Sequence, residues 1–236
     1  MTEPSQLAGV WTVVVAAGTG TRFGGPKHLA DLAGLPVLAR SVATAALVSE
    51  GIVVVVGVDQ VAGIAALPSI DSMASVQVVA GGDTRSQSVR NGIAAVPDHA
   101  QVILVHDGAR PLADRALFER TITAVFAGAD AAVPAIPVTD TIRAIGGGVV
   151  DRSKLVAVQT PQAFRAEALR DAHTSGSDAT DDAGLVEAQG GTVMLVDGAR
   201  ENLKITNPED LAIAHTLIDM QSNSRSSNES NNGPDR

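Results

Sequence analysis

The run Gly51-Ile-Val-Val-Val-Val-Gly-Val58 constrains this chain more than any other feature. A β-branched run that is apolar at consecutive positions reads as a strand covered on both faces. Comparable runs occur at Thr12–Ala16, Val76–Val79, Val102–His106, Ala131–Ala135 and Val193–Val196. Segments with helical spacing lie between them: Val37–Val48, Gln60–Ala66, Thr84–Ala95, Arg115–Ala127 and Arg165–His173. This alternation predicts an α/β fold, a mostly parallel twisted sheet with helices on both faces and ligands beyond the carboxyl ends of its strands. The 236 residues suffice for one such domain with a sizeable core.

Two stretches break the rhythm. Residues 137–160 contain Thr-Asp-Thr-Ile-Arg, the Gly146-Gly147-Gly148 turn and a second β-branched run, the pattern of an extended hairpin arm. An arm of this length has little core of its own and is expected to pack on a second subunit, which predicts a homodimer through the β-arm. From Gln221 to Arg236 the chain is dominated by Ser and Asn and has no apolar residue, so residues 1–220 are read as the domain and 221–236 as a disordered tail. Helix starts are expected at Thr84-x-x-Gln87, a capping box, and at Asn207-Pro208-Glu209-Asp210.

Composition narrows the partners. A net charge of −9 argues against a general nucleic-acid or membrane surface, though local cations can still bind small anions. There is no cysteine, which excludes disulfides, thiolate metal sites and a Cys nucleophile. Aromatic residues are 2% with no tyrosine, so a bound base must be read by main chain and small polar groups. No basic-then-apolar leader precedes Trp11 and no apolar run nears the roughly 18 residues of a membrane helix, so a cytoplasmic enzyme is the expectation.

After the first strand comes Ala16-Ala17-Gly18-Thr-Gly20-Thr-Arg22-Phe-Gly-Gly-Pro26-Lys27. Small residues let N–H groups approach an anion, and Arg22 and Lys27 bring charge to where phosphates would lie. Phe23 stands where the dinucleotide fingerprint needs glycine, while Pro26 and His28 break the Walker pattern. The loop is thus a phosphate cradle of another kind.

Asp107 follows the fourth strand in Val-His-Asp-Gly-Ala-Arg-Pro, a position suited either to Mg²⁺ on a triphosphate or to an ion pair with Arg110. His106 reads as a structural residue of the sheet. Gly81-Gly82-Asp83 and Ser88 flank the start of a helix and offer close backbone approach with side-chain donors and acceptors. Lys204 sits in an extended segment where Leu203 and Ile205 face inward and Lys204 the other way, toward a ligand or toward solvent. The acids of Ser177-Asp178-Ala179-Thr180-Asp181-Asp182 lack calcium-loop spacing and read as a helix cap.

Taken in order, these motifs resemble the 2-C-methyl-D-erythritol 4-phosphate cytidylyltransferases of non-mevalonate isoprenoid synthesis, from Val13 to about Met220. Further matches are Asp140-Thr141, Val150-Asp151-Arg152, Thr160-Pro161-Gln162-x-Phe164 and Asn202-Leu203-Lys204-Ile205-Thr206. The resemblance implies a Rossmann-like nucleotidyltransferase fold with a dimerising arm. It also implies a reaction of CTP that depends on Mg²⁺ or another divalent cation. By position, Arg22 and Lys27 would stabilise the transition state, with Arg152 and Lys204 completing the catalytic set. Ala16, Ala17, Gly18, Gly20, Gly82, Asp83, Ser88, Asp107 and Gly108 would hold CTP. Asp107, Arg110, Thr141, Arg152 and Lys204 would hold the sugar phosphate, and Asp107 the metal. Val15 replaces a frequent proline and Gly108 a usual alanine, both backbone positions. No cyclodiphosphate synthase domain follows, so a single activity is expected. The rivals are a ribitol 5-phosphate cytidylyltransferase, disfavoured by Ala-Ala-Gly in the first loop and Ala109-Arg110-Pro111, and a non-catalytic nucleotide binder, disfavoured by the retained cations.

Overall fold

A computed structural model describes residues 8–230 apart from Thr19, Ala74, Ser175, Ser177 and Thr180, with side chains through Gln221. The chain runs through β1 (Val10–Val15), the small hairpin β2 (Asp31–Leu32) and β3 (Leu35–Pro36), α1 (Val37–Ala46), β4 (Gly51–Val56), α2 (Val61–Ala65) and α3 (Pro68–Asp71). Then follow β5 (Val76–Ala80), α4 (Arg85–Ala94), β6 (Val102–Asp107), α5 (Arg115–Phe126), β7 (Ala131–Pro137), β8 (Ile142–Arg143), β9 (Val149–Val150) and β10 (Val156–Val158). The last elements are β11 (Gln162–Arg165), α6 (Ala166–Thr174), α7 (Asp182–Ala188), β12 (Val193–Asp197) and α8 (Pro208–Ser230).

The apolar runs do become strands, and those of β1, β4 and β6 are largely covered on both faces, whereas β5 and β12 are partly exposed because each lies at an edge of the sheet. In β4, Ile52, Val54 and Val56 pack with Leu38 and Val42 of α1 and Phe118 of α5. Val53 and Val55 point the other way, to Val89 and Ile93 of α4 and Leu169 of α6. Each such fully buried side chain contributes roughly 1.5–3 kcal/mol relative to exposure. The two cores are separated by an 8-stranded sheet in which β5, β4, β1 and β6 are parallel neighbours. Beyond β6 lies β11, antiparallel to both β6 and β7, while β12 runs parallel to β7. From β1 the chain winds outward through β4 and β5, then returns to the opposite side of β1 as β6. That reversal splits the flanking loops and opens a crevice beyond the carboxyl ends of β1 and β6.

Three readings of the sequence need correction. Helical spacing starts a helix at Arg165, but Gln162–Arg165 is a strand and α6 begins at Ala166. Ala163 and Phe164 are fully buried there, because a strand is needed between β6 and β7. The arm is shorter than 137–160: β8 and β9 pair as a hairpin, but Val156–Val158 rejoins the main sheet against β7. Finally, α8 continues through residues 221–230, where composition predicts disorder. Its start is reciprocally capped, Asp210 N–H donating to Asn207 Oδ1 at 3.0 Å while Asp210 Oδ2 accepts from the N–H groups of Thr206 and Asn207. Past the costly first turn each further residue needs only its own propensity, although Ser and Asn add roughly half a kcal/mol each relative to alanine. Residues 231–236 of the expected tail, and Ser177 and Thr180 of the acidic motif, lie outside the described residues. Asp181 of that motif does cap α7, accepting from the N–H of Ala183. Among the described residues no helix is long and apolar enough to cross a membrane.

Candidate active site

The loops after β1 and β5 meet across the crevice. A Cβ on Gly81 would stand 2.5 Å from Ala17 Cβ and 2.8 Å from Ser88 Oγ, so only glycine lets these loops close. Thr84 caps α4 by accepting from Gln87 N–H at 3.1 Å, and Gln87 Oε1 accepts from Asp83 N–H at 3.1 Å. This is a capping box whose return bond is shifted by one residue. Ser88 Oγ accepts from Gly82 N–H at 3.1 Å and donates to the Thr84 carbonyl at 3.0 Å. The hydroxyl therefore shapes the Gly82 loop as well as facing the crevice. In the first loop, Gly20 has φ +66, and a Cβ there would lie 2.1 Å from the Gly25 carbonyl oxygen. Its own carbonyl accepts from Phe23 and Gly24, which folds the loop back so that Lys27 follows it into the site.

Opposite stands Asp107, at the end of β6. Its carboxylate lies 2.7 Å from Lys204 Nζ and 3.7 Å from Arg110 Nε. Lys204 is held by an extended strap: Arg110 Nη1 donates to the Asn202 carbonyl at 2.7 Å and Ile205 N–H to the Ala109 carbonyl at 2.8 Å. Lys27 Nζ donates to the Ile205 carbonyl at 2.8 Å, so the strap joins both lysines. Burial alone pushes the Asp107 carboxyl up. Lys204 above all, then Arg85 and Arg110, outweighs burial and holds it below the ordinary carboxylate range. Burial, reinforced by the neighbouring Lys204 charge, lowers the Lys27 ammonium from its ordinary value, with Asp107 opposing.

His106 is fully buried, and burial pushes its pKa down to about 4. Thr160 Oγ1 accepts from Asp107 N–H at 2.9 Å and lies 3.2 Å from His106 Nδ1, while His106 Nε2 lies 3.2 Å from the Arg110 carbonyl. A neutral imidazole satisfies every member of this chain if Nε2 carries the proton, which matches a structural role and leaves no base at this position.

These segments enclose a cavity of about 370 Å³. The sequence-predicted Ala16, Ala17, Gly18, Lys27, Gly82, Asp83, Ser88, Asp107 and Lys204 all line it. Gly20 and Arg22 lie in the adjoining loop, Arg22 exposed, and do not line it; Thr19 between them lies outside the described residues. Gly108 sits behind the wall, its N–H donating to Val15 and its carbonyl accepting from Ser41. Arg110 is turned to the strap. Thr141 and Arg152 are exposed on the arm and line no part of the cavity, Arg152 donating to the Thr139 carbonyl. Sequence reasoning missed His28, Thr84, Arg85 and Ala109, which also line it. His28 is 3% exposed, a burial that no local pattern announces.

Among the described residues no group of three His, Cys, Asp or Glu side chains could hold an ion alone. One buried carboxylate, Asp107, facing a cavity between two lysines nevertheless fits a divalent cation that takes its remaining ligands from substrate phosphates, as Mg²⁺ commonly does. The ion pair with Arg110, the other reading of Asp107, is also present, but the nearer cation is Lys204.

A sequence model of the family 2-C-methyl-D-erythritol 4-phosphate cytidylyltransferase matches residues 10–220. The chain belongs to that family. A relative of this name in Nocardia farcinica is 43% identical over 231 residues, covering 94% of this chain and 99% of its own. Another in Prochlorococcus marinus is 41% identical over 224 residues, covering 89% and 99%. The crystal structure of the 2-C-methyl-D-erythritol 4-phosphate cytidylyltransferase from Thermus thermophilus superposes with a TM-score of 0.73 at 34% identity, covering 87% of this chain and 97% of that one. The expected Rossmann-like fold class and family are thus both borne out.

Proposed function

We propose that this member of the family transfers the cytidylyl group of CTP to 2-C-methyl-D-erythritol 4-phosphate and releases pyrophosphate, for isoprenoid precursor synthesis. One observation carries the assignment to this cavity: Lys27, Lys204 and Asp107 converge on it from distant segments, and much of the remaining wall is small-residue backbone. Such a wall reads a pyrimidine by main-chain donors and acceptors and leaves the cations for phosphates. Ala16, Ala17, Gly18, Gly82, Asp83 and Ser88 would hold the cytidine, with Gly20 and Gly108 shaping the loops behind it.

In the reaction a phosphate oxygen of the sugar phosphate bonds to the α-phosphorus, and the bond from that phosphorus to the departing pyrophosphate oxygen breaks. The nucleophile is largely dianionic near pH 7, so no proton must be removed and no general base is needed. The neutral, enclosed His106 is consistent with this. Lys27, preorganised by its bond to the Ile205 carbonyl, would meet the charge that develops at the α-phosphorus, with Arg22 of the adjoining loop adding its charge. Lys204, on the strap that Arg110 holds, would orient the attacking phosphate. A divalent cation, when bound at Asp107, supplies further neutralisation of the triphosphate.

Thr141 and Arg152 fit this scheme as sugar-phosphate contacts only if the arm of a second copy reaches the cavity. Support for a homodimer comes from apolar residues left exposed beside the arm, Val149 (63%) on the arm itself, Val156 (44%) and Val158 (43%) on β10 and Met194 (46%) and Leu195 (55%) on β12. Surface of this kind is normally covered in a partner interface. Both substrates are charged and do not cross membranes unaided, which supports a reaction in the compartment that makes them, the cytoplasm. The test is pyrophosphate release from CTP and Mg²⁺ with methylerythritol phosphate beside ribitol 5-phosphate. Turnover with the first at least tenfold above the second is expected; the reverse order overturns the substrate assignment.

A further inference from the structure

Arg85 lines the cavity, yet no part of the scheme above uses it. It is the first residue of α4, and its Nη2 lies 2.8 Å from Asp182 Oδ2 at the start of α7. Asp182 is only 1% exposed, and its other oxygen lies 3.1 Å from Nε2 of His173, itself buried near the end of α6. Burial alone pushes the Asp182 carboxyl up, but the His173 hydrogen bond and the Arg85 charge hold it below its ordinary value. A carboxylate, a guanidinium and an imidazole from three helices thus form one buried row that ends at the cavity wall.

This row is not needed as a tether. The start of α4 is already tied to the same segment by Thr84 Oγ1 donating to Asp178 at 2.8 Å, and by Ser86 Oγ, which accepts from Ala179 N–H at 2.9 Å and donates to its carbonyl at 3.1 Å. A buried ion pair is a poor source of stability, because the cost of desolvating both charges offsets most of their attraction. Its effect here is directional: one side of the guanidinium is fixed, and the charge of Arg85 is felt at Asp107 across the cavity. Arg85 Nη1 and Asp182 Oδ2 are both buried with no hydrogen-bond partner among the described residues, so the pair is held by charge, while 29% of the Arg85 side chain stays exposed.

We propose that Asp182, braced by His173, is a positioning residue that fixes Arg85 in the cavity wall, where the exposed part of its side chain binds the anionic nucleotide. The proposal rests on the assignment of CTP to this cavity. It adds a third cation to Lys27 and Lys204, one held on the opposite side of the crevice. Asp182 acts only through Arg85 and does not touch the nucleotide.

The test is CTP affinity by titration calorimetry, together with KM for each substrate, in Asp182→Asn, Arg85→Gln and the double variant. Each single change is expected to weaken CTP binding about tenfold, the size of a lost charge-assisted hydrogen bond. KM for the sugar phosphate should stay within twofold. The double variant should be no worse than Arg85→Gln alone, since the two residues act in series. CTP affinity within twofold of wild type in folded Asp182→Asn, or losses that multiply in the double variant, overturns the positioning role. Should Asp182→Asn fail to fold, Arg85→Gln decides: unchanged CTP affinity overturns the proposal. Gly18→Val is the control, because Gly18 lines the cavity and a Cβ there meets nothing within 4 Å. If Gly18→Val binds CTP like wild type, the assignment of CTP to the cavity fails and the proposal with it. If Gly18→Val loses CTP but Arg85→Gln does not, the Arg85 proposal alone fails.

Discussion

The cavity and the arm hold their candidate residues in opposite ways. Around the cavity the central charges are held by other segments, Asp107 by Thr160 and Lys204 and Lys27 by the strap. On the arm, Thr141 and Arg152 are exposed, and the hydrogen bond of Arg152 goes to the arm's own Thr139. The lesson is one of preorganisation. A group held in advance by the fold stabilises a transition state without reordering when substrate arrives, whereas a group on a projecting hairpin must be placed by a surface it does not own.

The largest effect expected is on the cavity side. Lys27→Ala should fold with little change in stability and lose roughly 10²–10³ in kcat. Activity within threefold of wild type would reduce Lys27 to a tether of the strap and remove its claim to the chemistry. Arg152→Ala probes the arm and should also be nearly inactive as a homodimer. If arms exchange, a mixed dimer of the two variants has one doubly defective site and one intact site. Co-refolding should therefore restore about half of wild-type activity per heterodimer, as two-fold symmetry requires. Heterodimers that form yet stay dead would return Arg152 to its own subunit and erase the distinction between the regions.

A next, smaller effect sharpens the account of the cavity side. The pKa of His106 is about 4 in the folded chain against 6.5 in its absence, so the unfolded state binds the extra proton between these values. Stability from the neutral, buried ring is complete above about pH 6.5 and falls as pH drops toward 4, by about 2 kcal/mol between pH 7 and 5. Urea unfolding of wild type and His106→Gln at the two pH values checks this. An equal pH dependence in both would exclude His106 as its source.

Base selection should be weaker still. If the Gly82–Ser88 segment reads cytosine by main chain, CTP should outperform UTP in kcat/KM by at least about tenfold, or 1.4 kcal/mol. Equal use would leave that segment as a wall only. The smallest effect expected is none at all. Ending the chain after Gln221 should leave Tm and kcat unchanged, because the residues beyond it offer no apolar side chain to bury. A clear loss of either would show that this end of α8 docks and belongs with the ordered region.

Much was legible because it is written locally. Apolar runs placed the parallel strands within one or two residues, since β-branched runs favour extended backbone even where, as in β5 and β12, one face stays partly exposed. The caps at Thr84 and Asn207 were legible for the same reason: cap and capped N–H groups lie three residues apart. The strand Gln162–Arg165 was not legible, because it contains no β-branched residue and owes its form to the neighbours it pairs with.

By itself, then, the sequence determined the alternating fold, the glycine-rich loop, and the residues whose order along the chain marks the family. Tertiary structure alone decided that Lys204 meets Asp107, that His28 is enclosed, and that Arg85 joins the cavity while Gly108 sits behind it. Periodicity and capping are set by interactions within a few residues and so can be read along the chain. The partner of a charge is set by how distant loops meet at a sheet's switch point, and only packing of the whole chain brings those loops together.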